Sequence, residues 1–236
     1  MQVLPAALMV FSAAISIYAQ DQSGAKHNPR PQVAGSSTEA GETKPEAVKY
    51  YYEFSQPKFY VKHIVIEHDT NGRGTVTFER LNEDTPVVEP IELSADVLAR
   101  ISSAWQSLQF LESDTNYQAS KQFPHLGTMK IGVQRGSQEK RVAEFNWTNN
   151  TDASTLVNEY RKAADQAILI FDISVARENQ PLNAPKLMEV MESLLKRDAL
   201  SDPRQLLKLL RDLSTDEHIP LIARNHALRL IKKIQK

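Results

Sequence analysis

Apolar positions recur with two different periods along this chain, and the changes of period mark its elements. Residues 59–68, within "KFYVKHIVIEHD", are rich in β-branched and aromatic types and predict a strand. "TVTFERL" alternates, with Val76 and Phe78 on one face, and Asn71-Gly72 between the two runs predicts a hairpin turn. "TMKIGVQ" and "RVAEFNWT" predict a second hairpin. Its inner face would carry Met129, Ile131, Val133, Ala143, Phe145 and Trp147, with Asn146 facing away. "PVVEPIEL" contains Pro86 and Pro90, which cannot donate to a ladder, so it reads as an edge strand or a loop.

Elsewhere the period is helical. After Ser94, placed to cap, Val97, Leu98, Ile101, Trp105 and Leu108 share one face. A longer helix is predicted over 153–179, capped by Thr151 or Asp152, with Asn149 and Asn150 in the turn before it. Between Ala167 and Val175 its apolar residues go nearly all the way round, the mark of a helix packed on two sides. Three further helical patterns follow, bounded by Pro181, Pro185, Pro203 and Pro220. The elements add up to an α+β fold: a small antiparallel sheet of two hairpins with two helices, then a short C-terminal helical bundle. Residues 48–180 would form the α+β domain, and 181–236 a helical region packed on the 153–179 helix.

Ahead of the folded part lies an uncharged apolar run, Val3 to Ala19, followed by "QDQSG". It reads as a signal peptide over 1–19, cut near Ala19 or Gln20; the alternative is an uncleaved N-terminal membrane anchor. Residues 20–47 are rich in Gly, Pro, Ser and charge, and predict a disordered linker.

Composition narrows the chemistry. The formal net charge of −1 gives no global field for nucleic acid, although a local basic face remains open. The absence of cysteine excludes disulfides, thiol catalysis and thiolate metal sites. No G-x-S-x-G, H-E-x-x-H, Walker or G-x-G-x-x-G motif is present. "DTNGRG" begins like a calcium loop, but Arg73 and Arg80 fall where ligands are needed, so it reads as a turn. His63 and His68, five apart on a strand, face opposite sides and cannot share a zinc. No cofactor and no metal is expected. His226 lies on the apolar arc of the last helix and reads as a core histidine. Arg161 and Asp165 are spaced for a helix ion pair. Asp172, inside "AILIFDISV", must find a donor or stay protonated if buried, with Arg177 or Arg224 as the partners in view. The catalytic candidates are Asp172 and the loop residue His125. The run "YYYEFSQPKFY" suits core packing, with a sugar- or peptide-binding surface as the alternative. The sequons at Asn146 and Asn149 are not expected to carry glycans.

"FDISVARENQPLNAPKLMEVMESLLKR" and "DEHIPLIARNHALRLIKKIQK" resemble the tail of uncharacterised exported bacterial proteins, over roughly residues 150–236. The resemblance implies a bacterial envelope setting and no particular activity. The expected function is a non-enzymatic binding module, periplasmic or secreted, for a protein or cell-envelope component. Neither nucleic acid nor membrane is an expected partner once the signal is cut. A cell-envelope hydrolase with an active site outside any motif is the rival.

Overall fold

The computed structural model describes residues 47–137 and 139–236. The expected signal peptide and nearly all of the linker lie outside the described residues. The elements are β1 (Val48–Ser55), β2 (Val61–Asp69), β3 (Arg73–Arg80), β4 (Val87–Glu92), α1 (Ala95–Leu108), β5 (Thr128–Arg135), β6 (Glu139–Phe145), α2 (Thr151–Asn179), α3 (Ala184–Lys196), α4 (Leu207–Thr215) and α5 (Leu221–Ile234).

The fold is α+β, with one six-stranded antiparallel sheet in the order β4-β3-β2-β1-β5-β6. The two expected hairpins are present as β2–β3 and β5–β6, but they do not stand alone. β1 lies between them and pairs with β2 on one side and β5 on the other. Its inner face is Tyr52 and Phe54, with Tyr50 half-buried; Tyr51 and Glu53 alternate onto the opposite face. The proline-bearing strand β4 takes the edge, where a missing N–H costs no ladder bond.

α1 and the first half of α2 cover the inner face, closing a core of Tyr52, Phe54, Ile66, Phe78, Ile101, Trp105, Ile131, Leu156 and Tyr160, among others. A second core gathers Leu169 and Ile173 of α2 with Met188, Met191, Leu206, Leu210, Ala227 and Leu230. α2 therefore supplies both cores, its N-terminal half to the sheet and its C-terminal half to the helices. On the first turn of α5, Ile222 is 66% exposed.

Three local expectations are corrected. The α2 cap is Asn150, whose Oδ1 accepts from the Ala153 N–H at 2.9 Å; Thr151 and Asp152 are already helical. Ser94 sits at the α1 cap position, but its hydroxyl caps nothing and is buried without a hydrogen-bond partner among the described residues. Trp147 does not enter the core: it is 43% exposed. β6 ends at Phe145, because the next residue is captured by the 116–123 loop. Asn146 donates its N–H to Gln118 Oε1 (2.9 Å), and its Oδ1 accepts from Gln118 Nε2 (3.2 Å) and the Phe123 N–H (3.1 Å). With pairing broken there, alternation no longer decides where Trp147 points. It packs edge-on against Phe123 instead, with centroids 5.2 Å apart.

Candidate functional site

The link between β1 and β2 forms one wall of a cleft. Gln56 anchors it: its buried amide donates to the carbonyls of Pro124 (3.2 Å) and His125 (2.9 Å), and its Oε1 accepts from the Lys58 N–H (3.3 Å). That fixes Lys58, Phe59 and Tyr60 facing outward, with Tyr60 60% exposed. The long aromatic run is thus divided: Tyr52 and Phe54 pack the core, whereas Phe59 and Tyr60 meet solvent.

α2 forms the second wall. Thr155, Asn158, Lys162 and Asp165 follow one another at three- and four-residue steps and share a face, with Glu159 beside them. The third wall is the end of α3, Arg197 to Ala199. The cleft encloses about 1000 Å³, with Tyr52, Phe54 and Ile64 beneath. A smaller hollow of about 130 Å³ adjoins it, sharing Asn158 and Arg161 and reaching Trp147.

Charge in the cleft is uneven. Glu159 is engaged by Arg100 at 2.9 Å, and Asp198 by Lys162 at 2.7 Å. Lys58, Arg161 and Arg197 have no carboxylate within ion-pair distance among the described residues. Arg161 lies over the Phe54 ring, 5.3 Å from its centroid. The expected Arg161–Asp165 pair is therefore not made. The protein packed around Asp165 raises its pKa by desolvation, which outweighs the pull of Arg161 and Arg197 toward the ionised form. The chain is nearly neutral as a whole, yet this face is locally cationic.

The catalytic candidates do not converge. Asp172 pairs with Arg80, 92 positions away, rather than with Arg177 or Arg224; Arg177 instead holds Asp216 at 2.6 Å. Arg80 is also packed among Tyr60, Phe78 and Phe171. His125 is exposed in a short 3-10 turn, its ring edge-on to Phe123. Neither residue lines the cleft.

The other described histidines are each partnered. His63 lies on the open face of the sheet between Glu53 (3.2 Å) and Glu79 (3.1 Å). His68 is in the core, bonded to the Asp69 carbonyl (2.7 Å) and the Tyr160 hydroxyl (2.8 Å). His226 is buried against Glu192 at 3.1 Å. "DTNGRG" is a turn in which Asp69 Oδ1 accepts from the N–H groups of Asn71 (2.8 Å) and Arg73 (3.0 Å). Among the described residues no group of three or more His, Asp or Glu could hold a metal ion.

The cleft itself was not foreseen from the sequence, because its cations lie at 58, 161 and 197, on three separate segments. What the fold and the site define is an α+β protein with a half-open sheet and one cationic, aromatic-rimmed cleft. No family model matches the chain, and no curated protein is similar to it.

Proposed function

We propose that the protein is an exported binding module of the bacterial cell envelope, and that it holds an anionic partner in this cleft without catalysis. The observation that carries the reading is the set of three cations, Lys58, Arg161 and Arg197, facing one cavity without carboxylate partners among the described residues. Exposed Phe59, Tyr60 and Trp147 add flat apolar surface beside that charge. Neither Asp172 nor His125 lines this cleft, which favours binding over hydrolysis there. Export is supported by the apolar run from Val3 to Ala19 and by the C-terminal resemblance. In this reading residues 48–180 supply the floor of the cleft and two of its walls, residues 181–236 supply the third, and 20–47 serve as a tether.

Two measurements test this. Fractionation with N-terminal sequencing should find a mature start near Gln20 outside the cytoplasm; an intact Met1 on cytosolic protein ends the export argument. A pull-down from an envelope fraction should recover a component with the wild-type chain and lose it with the double variant Arg161→Glu, Arg197→Glu. Equal recovery by both chains would remove the cleft from the function.

A further inference from the structure

We propose that the inner end of the cleft is an oxyanion seat, in which a carboxylate or phosphate group of the ligand is held by Arg161 and Arg197 above the hydroxyl of Tyr52. The inference rests on the reading of the cleft as the binding site, and names the chemistry it recognises.

Tyr52 is fully buried, yet its hydroxyl has no hydrogen-bond partner among the described residues. A buried polar atom left in that state is rare and calls for a partner. The ring cannot easily swing away to find one: it stacks on Tyr160, with centroids 5.2 Å apart and planes 11° from parallel. The charged groups that act on this hydroxyl are Arg161 and Asp165. Those acting on Asp165 are Arg161 and Arg197. Tyr52 of β1, Arg161 and Asp165 of α2, and Arg197 at the end of α3 all line this one cleft.

Their hydrogen-bonding capacities are one-sided. A guanidinium only donates, and the Tyr52 hydroxyl has a proton to give. Arg197 spends one donor on the Ser193 carbonyl at 3.3 Å and keeps the rest. Phe54 beneath Arg161 holds that guanidinium against the floor. Donors without acceptors call for a ligand rich in acceptors, and a planar or tetrahedral oxyanion can take bonds from both guanidiniums and the phenol. Asp165 is the one carboxylate lining the cleft without an ion-pair partner among the described residues. It acts as a built-in competitor for the same donors. Lys58, Phe59 and Tyr60, farther out on the β1–β2 link, are left for the rest of the ligand.

The test is isothermal titration of the full chain with inorganic phosphate and, separately, with glutarate, so that the two sources of oxyanion are distinguished. Saturable one-site binding of at least one of them is expected. Arg161→Gln and Arg197→Gln should each weaken it about tenfold. Tyr52→Phe should weaken it roughly threefold to tenfold with no loss of thermal stability, since the deleted hydroxyl is unpartnered. Asp165→Asn should strengthen it by removing the competing charge. Binding that is indifferent to both arginine variants, or no saturation by roughly 10 mM of either anion, overturns the seat. Unchanged affinity in Tyr52→Phe removes the hydroxyl from it. If neither anion binds while the envelope component is still lost with the double variant, the seat fails and the cleft stands. If the double variant retains that component, the cleft reading itself fails.

Discussion

Replacing Tyr160 by phenylalanine should remove far more stability than one oxygen atom suggests. Tyr160 is fully buried beside Trp105 and His68, which are 5% and 2% exposed. His68 Nδ1 lies 2.7 Å from the Asp69 carbonyl oxygen, so Nδ1 carries the proton and Nε2 is an acceptor. The Tyr160 hydroxyl donates to that Nε2 at 2.8 Å and accepts from Trp105 Nε1–H at 3.1 Å. Every member of the chain is satisfied, and all of it is closed to water. Deleting the hydroxyl strands a donor and an acceptor together. Each orphan costs about 1–3 kcal/mol, so the pair costs about 2–6 kcal/mol, a large share of the roughly 5–15 kcal/mol available to a folded protein. Equilibrium unfolding in urea should show a lowered midpoint with an unchanged slope. Trp105→Phe in the Tyr160→Phe background should cost less than the sum of the single changes, because no indole N–H then remains to be stranded. A Tyr160→Phe chain within about 0.5 kcal/mol of wild type would refute the network.

Three other outcomes follow from the same geometry. Burial lowers the His68 pKa against the opposing effect of the Asp69 carbonyl; the unfolded chain therefore binds the proton first, and stability present above about pH 6.5 is lost as pH falls toward the depressed folded value. Urea midpoints from pH 8 to 5 should decline more steeply for wild type than for His68→Gln, and parallel profiles would contradict this. Trp147→Ala should cost about 1–2 kcal/mol rather than the ~3–5 of a core aromatic, and acrylamide should quench Trp105→Phe protein, where only Trp147 emits, much more than Trp147→Phe protein. A β-carbon at Gly74 would lie 1.8 Å from the Glu67 carbonyl oxygen, whereas one at Gly132 would meet nothing closer than 3.2 Å; Gly74→Ala should cost about 3 kcal/mol and Gly132→Ala far less, as read from thermal midpoints.

What was legible in the sequence was whatever a local period could carry. The helices announced themselves because Val97, Ile101, Trp105 and Leu108 can share a face only at a helical repeat. Pro90 placed β4 at the edge for a backbone reason that holds anywhere. β1 hid its alternation behind Tyr51, an aromatic on the outer face, so the strand joining the two hairpins read as a mere aromatic run. Trp147 was misplaced because alternation predicts direction only while a strand lasts, and Gln118, 28 positions away, ends it at Asn146. Asp172 found Arg80 across 92 positions, a pairing that no window on α2 contains. The cleft is the extreme case. Its arginines sit at exposed positions, one on α2 and one just past the end of α3, that look like ordinary solvated charge, and its phenol looks like ordinary core.

At the end of α3 the charge of that cleft is set at some cost to the backbone, a cost that can be measured. The Ala199 N–H bonds the Leu194 carbonyl at 2.9 Å and the Asp198 N–H bonds the Leu195 carbonyl at 3.3 Å, the paired pattern of a Schellman ending. Its left-handed position, which favours glycine, holds Asp198 at φ 51°. A side chain there costs about 1 kcal/mol relative to glycine. Asp198 partly offsets that through Lys162 at 2.7 Å, but its side chain is 90% exposed, and such a surface pair contributes about 0–1 kcal/mol. Asp198→Gly should therefore be neutral or stabilising by up to about 1 kcal/mol, and Asp198→Ala destabilising by about 1 kcal/mol. The same two variants free Lys162 and take one negative charge from the cleft wall, so both should tighten phosphate binding at low salt although their stabilities move apart. Stabilities that fall together would place the strain elsewhere. Affinities that follow stability rather than charge would show that the loop's shape, not its electrostatics, governs the site.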